Sequence, residues 1–525
     1  MRVALVQCPV WGTREPPLGI VQLSGILKSG GFEVRSFDLN NHLYRKRDDT
    51  MRNLWAWEQS LFWYNRERVH SFFRDFKDSI NTFFDEIARW RPDVIGFSVT
   101  SSTYFSSCEA AKLYKKMDGG CTVVFGGQGL SDAGMAKRVF HETPVDYFLT
   151  GEAETSLVSL LESMDGNREA SLCGVISRKT ERITVETPVL YDLDSVPYMD
   201  FTDLKITDYD DSEHISLMAS RGCIWNCAFC SSRSFWKGYR YMSGERVHQE
   251  INFHRTMNGS VGHVDFADLV FNGNMKRVTE FCRLMIDYPP YDPAFKFQWI
   301  ANCVIRADLT REVLGMMKDS GCQRLIFGIE SGSPRVLKIM KKKYDPVVAR
   351  RVIRQAYEAG IKVTANFMFG FPGETEEDFK QTLSFINDTG RYIERAYPSR
   401  TYCALEERSE IHENPSAYGI REPFNHHLYW ETVDGKNTYP VRLDRCKRFE
   451  EFCAKTGLKT DRGVGTDIQL DNWHNLAVYY EHKGDYGQAA RYYNKYLEKD
   501  PGNLGVCGRV NEMMKKMTAA APGDE

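Results

Sequence analysis

The sequence lacks the features that mark several broad classes of protein. Its 525 residues carry a formal net charge of only -3, so no excess of one sign points to nucleic acid or an acidic membrane as the partner. Its longest apolar runs, such as VDYFLTG, are too short to span a bilayer. The first residues, MRVALVQCPV, have no basic stretch before an apolar core. We therefore expect a cytoplasmic protein that is not integral to a membrane and does not bind nucleic acid.

Paired cysteines are also missing, apart from one cluster. Most of the 14 cysteines stand alone, several of them within apolar runs, where a thiol is usually a small packing residue. The absence of paired spacing favours a reducing compartment over a disulfide framework. The exception is RGCIWNCAFCSSR, which places Cys223, Cys227 and Cys230 in a C-x3-C-x2-C spacing. This cluster predicts a metal site.

Residues 1–190 alternate between short apolar runs and helical segments. The runs RVALVQC, FEVRSFDLN, PDVIGFSVTSS, CTVVFGGQG and VDYFLTGEAE have the length of strands. Nearly continuous apolar strands that alternate with helices predict an α/β fold with a Rossmann-like, doubly wound parallel sheet. Such sheets bind ligands beyond the carboxyl ends of their strands.

An aromatic-rich insertion, residues 44–90, interrupts this pattern. Its aromatic side chains favour a pair of amphipathic helices that cover the sheet. The alternative is an apolar wall over a large flat ligand, which would suit an apolar or lipid-like substrate. The residues concerned are Trp55, Trp57, Trp63, Phe72, Phe73, Phe76, Phe83, Phe84 and Trp90.

A second alternating series follows the predicted linker at residues 191–210. In residues 211–400 the strand-like runs are HISLMAS, HVDFADL, KFQWIAN, RLIFGIES and KVTANFMFGFP. Five or six such units predict a partial (β/α)6 barrel, whose chemistry lies at the carboxyl ends of the strands. The cysteine cluster follows the first of these strands directly.

The region after residue 400 is less regular. We expect residues 401–466 to extend the barrel, residues 467–517 to be helical, and the tail 518–525 to be disordered. The segment NWHNLAVYYEHKGDYGQAARYYNKYLEKDPGN has the spacing of one tetratricopeptide unit. Because such units normally need about three copies to be stable alone, this one should pack on the barrel or recruit a protein partner.

Three clustered thiolates favour zinc or an iron–sulfur cluster. A structural zinc ion takes four protein ligands, and no second pair of cysteines follows here, so zinc would need a distant fourth ligand. A cubane cluster also takes four ligands, so three cysteines on one loop would leave one iron open to an outside molecule. Three packing cysteines without metal are the remaining interpretation.

With Phe229 directly before the last cysteine, this spacing resembles the signature of radical S-adenosylmethionine (radical SAM) enzymes. The resemblance implies a [4Fe–4S] cluster held by Cys223, Cys227 and Cys230, whose open iron binds SAM. Reductive cleavage of SAM would release a 5'-deoxyadenosyl radical, with electrons from a donor such as flavodoxin or ferredoxin.

The rest of the barrel resembles the branch of this family that carries an N-terminal cobalamin-binding domain. The matching segments are VDFADLVFNGN, the run from WIANCVIRADL to VLKIMKK, and FMFGFPGETEEDF. The resemblance implies that Phe229, Asp268, Arg306 and Glu330 contact SAM. Carboxylates can accept from ammonium or ribose hydroxyls and arginine can grip a carboxylate. The alternative for each charged residue is an ion pair at the barrel rim.

Residues 1–190 resemble the cobalamin domain of the same branch, with PPLGIVQLSGIL, GFSVTSS, VVFGGQG and VDYFLTGEAETSL matching its turns in order. Small residues there would let the backbone approach a flat macrocycle; a sheet that binds nothing is the alternative. The D-x-H-x-x-G motif is absent, since Asp38 and His42 have the wrong spacing, so cobalt would have no protein histidine below it. The implied cobalamin contacts are Leu18, Gly19, Ser98, Thr100, Gly126, Gly127, Gly151 and Glu152.

These features lead to one main hypothesis and two alternatives. The main hypothesis is a cobalamin-dependent radical SAM methyltransferase that moves a methyl group from SAM, via methylcobalamin, to an unactivated carbon of a small-molecule or lipid-like substrate. In the second hypothesis the fold is the same, but the radical drives cyclisation, carbon–carbon coupling or rearrangement of the substrate. The third is a zinc-stabilised binding or scaffold protein. Cys303 and Cys403 are either hydrogen-atom donors at the barrel mouth or packing residues.

Overall fold

The structure is a computed structural model. It describes residues 1–48, 52–55, 60–129, 133–166, 171–179, 187–289, 297–399, 403–423, 426–460, 467–501 and 503–519. Trp57 and residues 520–525 of the predicted tail lie outside the described residues. The chain divides into two compact units: the first is Met1–Ile224, Ser232–Cys303 and Gly315–Leu325, and the second is Trp225–Ser231, Val304–Leu314 and Ile326–Glu525. This division follows contacts rather than the predicted domain limits, which stay predictions.

The first unit begins with the predicted Rossmann-like sheet. Within the described residues it has six strands in the order β2-β1-β3-β4-β5-β6; β1 to β5 are parallel and β6 is antiparallel to β5. The five predicted runs correspond to β1 to β5, and β6 was not among them. The strands are β1 (Arg2–Gln7), β2 (Glu33–Asp38), β3 (Val94–Ser98), β4 (Thr122–Gly126), β5 (Tyr147–Leu149) and β6 (Val175–Ser177).

Helices connect these strands and cover the sheet. The side chains from Val3 to Val6 in β1 are all buried, as expected for a parallel sheet packed on both faces. The helices are α1 (Leu18–Ser29), α2 (Leu39–Lys46), α3 (Ser60–Trp63), α4 (Arg66–Asp75), α5 (Lys77–Trp90), α6 (Tyr104–Met117), α7 (Ala133–Glu142) and α8 (Ala153–Met164), with a 3-10 turn at Arg52–Trp55.

The aromatic-rich insertion packs into the core of this sheet. Trp63 is 0% exposed, and its Nε1 donates to the carbonyl of Leu54 at 2.8 Å. The ring of Phe72 lies 5.0 Å from that of Trp63, edge to face. Phe83 and Phe84 are buried in the same cluster. The packing interpretation is therefore confirmed for the described part of this segment.

The barrel begins in the first unit. There β7 (His214–Leu217), β10 (His263–Phe266) and β11 (Gln298–Cys303) pair in parallel, and β8 (Ser220–Arg221) and β9 (Arg240–Tyr241) form a short antiparallel pair. One face of these strands is apolar and packs on helix, since the ring of Phe266 lies 5.7 Å from that of Phe281. The neighbouring helices are α9 (Ser232–Phe235), α10 (Gly244–Met257), α11 (Met275–Asp287) and α12 (Arg311–Asp319), with 3-10 turns at Ile206–Asp208 and Phe271–Gly273.

The remaining strands are β12 (Cys322–Glu330), β13 (Lys362–Phe367), β14 (Arg395–Pro398) and β15 (Lys459–Thr460). The described strands follow one another in the sheet as β15-β14-β13-β12-β11-β10-β7. Six of them, β7 and β10 to β14, are the six strands of the predicted partial barrel. The two-residue β15 was not predicted.

Proline and capping side chains start the helices of the second unit where the sequence places them. Pro346 follows the cap Asp345, whose side chain accepts from the amide of Val347, and Thr375 with Asp378 forms a capping box. The helices are α13 (Pro334–Ile339), α14 (Pro346–Glu358), α15 (Glu376–Thr389), α16 (Glu410–Glu413), α17 (Tyr439–Thr456), α18 (Asp467–His482), α19 (Tyr486–Leu497) and α20 (Leu504–Ala519), with 3-10 turns at Gly390–Tyr392 and Pro415–Tyr418.

The predicted tetratricopeptide unit is the helix pair α18 and α19. Its core is closed by α20, around Ala489 and Tyr493. The pair packs on the C-terminal extension of the same chain: the hydroxyl of Tyr429 donates to Asn475 at 3.0 Å, and the ammonium of Lys483 lies 2.8 Å from the carboxylate of Glu431. Across the described residues, none of the helices combines the length and apolar character that a membrane crossing requires.

Candidate cluster and cofactor site

The cysteine loop leaves β8 through a glycine that no other residue could replace without strain. Gly222 has a φ of +77°, and a Cβ atom there would lie 1.9 Å from the carbonyl oxygen of Gly238. Glycine is thus required both by the left-handed backbone and by the close approach of two backbone segments. Cys223 follows directly and is half-buried.

Backbone hydrogen bonds hold the rest of the loop, which lies in the second unit. The amide of Ala228 donates to the carbonyl of Met340 at 3.0 Å, and the amide of Ile411 donates to the carbonyl of Ala228 at 3.1 Å. Cys227 and Cys230 form a turn, with the amide of Cys230 donating to the carbonyl of Cys227 at 3.1 Å. Ala228 is buried while both thiols are half-buried. The backbone is therefore fixed and the soft sulfur donors stay accessible, which fits an iron–sulfur cluster.

A lysine that the sequence did not single out lies beside this loop. Lys342 places its ammonium 5.5 Å from the ring centre of Trp225 and 5.7 Å from that of Phe229. It donates to the carboxylate of Glu330 at 3.1 Å and to the carbonyl of Gly328 at 3.0 Å. A buried cation thus lies next to the aromatic side chains that flank Cys227 and Cys230.

Glu330, a predicted SAM contact, belongs to the same neighbourhood. Its φ is +61°, a left-handed conformation that costs a non-glycine residue about 1–3 kcal/mol and is found preferentially at functional sites. Its carbonyl accepts from the amide of Met368 at 2.9 Å. Phe229 packs edge to face on Phe371, 6.4 Å away. The structure therefore brings Glu330 and Phe229 together through Lys342, and their contact with SAM stays a prediction.

The other two predicted SAM contacts have protein partners of their own. Arg306 forms a bidentate ion pair with Asp308, at 2.8 and 2.7 Å, which is the rim ion pair of the alternative interpretation. Asp268 is 1% exposed and accepts from the amide of Ala219 at 3.1 Å and from the hydroxyl of Ser220. Burial raises the pKa of Asp268 to about 6. Asp268 thus holds the backbone just before the cysteine loop.

The predicted cobalamin contacts lie at the carboxyl edge of the first sheet. Ser98 ends β3, Gly126 ends β4, and Leu18 with Gly19 begins α1. A Cβ on Gly19 would lie 3.4 Å from the hydroxyl of Ser98, so the start of α1 and the end of β3 are neighbours. The hydroxyl of Thr100 is 3.1 Å from that of Ser102.

Three of the predicted contacts are explained by packing within the protein. A Cβ on Gly127 would lie 2.4 Å from the carbonyl oxygen of Val99, and one on Gly151 would lie 2.9 Å from Pro188. Glu152 forms buried ion pairs with Arg221 of β8 and with Arg240 of β9. These residues need no macrocycle to account for them, and their contact with cobalamin stays a prediction.

The donors at this edge are half-buried hydroxyls and backbone groups, which fit a ligand rimmed by amide groups. His42 does not reach the edge. It lies in α2, where its Nε2 is 3.2 Å from the carbonyl oxygen of Ser79 and its ring packs on Phe83 at 5.2 Å.

A group of charged side chains at the start of β7 was not predicted from the sequence. His214 is buried, with its Nε2 2.7 Å from a carboxylate oxygen of Glu15 and 3.2 Å from one of Asp265. Burial lowers the pKa of His214, but the two carboxylates outweigh it and raise the pKa to about 9. Arg14 adds a guanidinium 3.3 Å from Asp265. The group is an ion-pair network whose members Glu15, His214 and Asp265 also place their ligand atoms within 4.8 Å of one another.

Cys303 and Cys403 are both buried. Burial raises the pKa of Cys403 to about 12 and that of Cys303 further. These environments agree with packing residues rather than with accessible hydrogen-atom donors.

Residues 217–386 match the family model described as the radical SAM superfamily. These residues form a radical SAM domain. The matched segment begins at the end of β7, contains the cysteine loop and ends in α15. A second family model, for a tetratricopeptide repeat, matches residues 471–503, which confirms the predicted unit.

Sequence relatives of this chain include two kinds of named protein. An uncharacterized methyltransferase of Pyrococcus horikoshii is 29% identical over 306 residues, which cover 57% of this chain and 65% of the relative. An anaerobic magnesium-protoporphyrin IX monomethyl ester cyclase of Cereibacter sphaeroides is 26% identical over 316 residues, 58% of this chain and 50% of the relative. The aligned part thus covers 65% and 50% of the length of these relatives.

Solved structures extend the likeness to the whole chain. The radical S-adenosylmethionine methyltransferase TsrM of Kitasatospora setae, solved with cobalamin and a [4Fe–4S] cluster, superposes with a TM-score of 0.60 at 16% identity, covering 99% of each chain. The cobalamin-dependent radical enzyme OxsB, solved with aqua-cobalamin and S-adenosylmethionine, gives a TM-score of 0.58 at 16% identity, with 98% of this chain and 71% of that chain covered. At this identity the likeness establishes the fold.

Proposed function

We propose that this radical SAM enzyme is a cobalamin-dependent methyltransferase. The observation that carries the proposal is the pairing of two sites in one fold: a loop with three accessible thiols, and a sheet edge lined with hydroxyl and backbone groups. The same pairing occurs in a solved cobalamin-containing methyltransferase whose fold covers 99% of this chain. The relative named as a methyltransferase supports the same conclusion.

Each site has residues suited to its cofactor. Cys223, Cys227 and Cys230 would hold the [4Fe–4S] cluster, and Glu330 with Phe229 would contact SAM. Ser98, Thr100 and the start of α1 at Gly19 would contact cobalamin. When bound, cobalamin supplies a transferable methyl group, and the cluster with SAM supplies the radical. The protein fixes the loop backbone and would orient Glu330 through Lys342.

The substrate we infer is a small polar molecule. The face of β10 and β11 opposite to the helices carries His263, Asp265 and Gln298, all half-buried. Gln298 accepts from the side-chain amide of Gln323 at 2.5 Å and lies 3.2 Å from the imidazole of His263. His263 and Gln298 begin their strands, however, and barrel chemistry lies at the carboxyl ends, so these side chains do not support a polar substrate, and the inference rests on the packing of the aromatic segment. The aromatic segment that favoured a lipid-like substrate is packed in the core instead.

A radical cyclase is the second candidate function, because one relative is named as a ring-forming cyclase. Both activities need the same cluster and the same SAM contacts. The mass of the product separates them, since methylation adds one CH2 to the substrate while cyclisation conserves the number of carbon atoms.

Anaerobic reconstitution with iron, sulfide and hydroxocobalamin tests the proposal. We expect about four irons per chain, as for a cubane cluster, together with one cobalt. Cys223→Ala, Cys227→Ala and Cys230→Ala should each lose the iron, whereas the matched control Cys507→Ala, in α20, should keep it. Zinc in place of iron would overturn the enzyme assignment. Iron without cobalt would favour the cyclase.

Labelling with methyl-deuterated SAM then tests the substrate class. The reduced, loaded enzyme is incubated with cell extract, which is separated into aqueous and chloroform phases. We expect an aqueous metabolite in which one CD3 group has replaced a hydrogen atom. Label confined to the chloroform phase would refute a polar substrate, and no label in either phase would refute the methyltransferase.

A further inference from the structure

Four charged side chains form a buried network in the first unit that no chemistry described above uses. One carboxylate oxygen of Glu152 lies 2.5 Å from the guanidinium of Arg221, and the other lies 2.7 Å from that of Arg240. Arg221 also pairs with Glu154. The side chains of Glu152, Arg221 and Arg240 are 1%, 5% and 8% exposed. Two guanidinium groups thus enclose one carboxylate out of water.

The network joins two specific points of the chain. Glu152 lies between Gly151 and the start of α8, in the loop that follows β5 at the carboxyl edge of the first sheet. Arg221 and Arg240 are directly opposite each other in the β8–β9 pair. Arg221 ends β8, and only Gly222 separates it from Cys223. One salt bridge therefore links the predicted cobalamin edge to the first cluster ligand.

Neighbouring groups hold both ends of the network in place. The guanidinium of Arg240 also donates to the carbonyl of Leu190 at 2.5 Å, and the amide of Leu190 lies 3.4 Å from the carboxylate of Glu152. Arg221 lies over the ring of Trp236, 5.5 Å from its centre. These contacts leave the carboxylate of Glu152 little freedom to move relative to β8.

Buried ion pairs are weak evidence for stability, because desolvation offsets most of their attraction, but they fix geometry strictly. A network at this place therefore contributes more to fixing the position of β8 relative to Glu152 than to the stability of the fold. We propose that Glu152 is a positioning residue that sets the separation between a ligand at the carboxyl edge of the first sheet and Cys223 of the cluster. This inference rests on the proposed function for its consequence in turnover, but its structural part can be tested without any cofactor.

The test compares Glu152→Gln with Glu250→Gln in the full-length protein. Glu250 is a matched control, because it is equally buried and pairs with Arg246 at 2.7 Å within α10, away from the cysteine loop. Hydrogen exchange on the protein without cofactors measures the amides of β8 and β9. We expect exchange at least tenfold faster in Glu152→Gln and unchanged in Glu250→Gln, although both variants lose thermal stability.

A second readout uses the loaded protein. Cob(II)alamin and a reduced [4Fe–4S] cluster are both paramagnetic, so pulsed electron paramagnetic resonance gives the distribution of distances between them. We expect a broader distribution in Glu152→Gln than in wild type or Glu250→Gln. With dithionite as reductant, the ratio of 5'-deoxyadenosine to methylated product should rise at least fivefold in Glu152→Gln alone.

Unchanged exchange in β8 and β9 of Glu152→Gln would overturn the inference, as would equal effects in Glu250→Gln. If Glu152→Gln does not fold, Glu154→Gln replaces it, since that change removes only one of the bonds to Arg221 and should give a smaller effect of the same kind. A wild-type protein that binds no cobalt would refute the proposed function, whereas the exchange comparison would still decide whether Glu152 positions the loop.

Discussion

Replacing either of two facing glycines by alanine separates backbone strain from steric collision at the cysteine loop. Gly222 and Gly238 have φ values of +77° and +71°, so each alanine variant would incur the left-handed cost of about 1–2 kcal/mol. A Cβ on Gly238 would meet nothing within 4 Å, whereas one on Gly222 would lie 1.9 Å from the carbonyl oxygen of Gly238 and 2.9 Å from its carbon. Only the change at Gly222 forces the backbone to move.

The size of that movement sets the expected difference. An ordinary contact begins near 3.4 Å, so the two segments must separate by about 1.5 Å, and overpacking of this kind adds about 1–3 kcal/mol. We expect Gly222→Ala to lose about 2–5 kcal/mol of unfolding free energy in total, and Gly238→Ala about 1–2 kcal/mol. The displaced segment carries Cys223, so Gly222→Ala should also lose most of its iron on reconstitution.

Urea unfolding and iron content per chain are the measurements, made on both variants in parallel. Gly238→Ala should bind iron as the wild type does, which controls for left-handed strain. Equal stabilities and equal iron contents in the two variants would refute the argument that the close approach of residues 222 and 238 shapes the loop.

Three further predictions follow from buried groups. Burial raises the pKa of Asp268 from 3.8 to about 6, so the folded state holds this proton more tightly than the unfolded chain, and the stability that the proton contributes is lost as pH rises from about 4 to 6. The unfolding free energy of Asp268→Asn, measured in urea, should therefore increase relative to that of the wild type by up to about 3 kcal/mol between pH 4 and pH 8. A difference that stays constant with pH would contradict this prediction. Lys342→Met should lower the free energy of unfolding by about 3–5 kcal/mol, because it leaves the carboxylate of Glu330 buried without its cation. The additional change Glu330→Gln should restore part of this loss. A double variant no more stable than Lys342→Met would show that the two side chains do not interact. Trp63→Ala should lower the free energy of unfolding by about 3–5 kcal/mol, because it leaves a cavity in the core. The labelled product should still be found in the same phase, aqueous or chloroform, as with the wild type. A labelled product in the other phase would indicate that the aromatic segment is part of the substrate site.

Much of the fold could be predicted because its strands are nearly continuous apolar runs. β1 to β5 and five of the barrel strands, β7 and β10 to β13, each match a predicted apolar run, and parallel sheets bury both faces of such runs; β14 (Arg395–Pro398) had no predicted run. β6 and β15 are too short for any periodicity to show. The three cluster cysteines could be named because their spacing is local and contained in one loop.

The residues that sequence reasoning missed are joined by contacts between distant positions. Glu152 and Arg221 are 69 residues apart, and Arg14 and Asp265 are 251 apart. Spacing and periodicity describe neighbours in sequence, so they carry no signal for ion pairs of this kind. Glu152 is an example. Its resemblance to a family position predicted a contact with cobalamin, but could not predict that two arginines enclose its carboxylate.

The cysteine loop owes its shape to protein contacts, and this has a consequence for how the holoenzyme is made. Gly222 leaves β8 against Gly238, and Ala228 is hydrogen-bonded on both sides, to Met340 and Ile411. None of these contacts involves a thiol, so the polypeptide can reach its final conformation before any iron arrives. We therefore expect that a chain which has already folded can take up the cluster, and that a chain which has lost its cluster can be reconstituted without refolding.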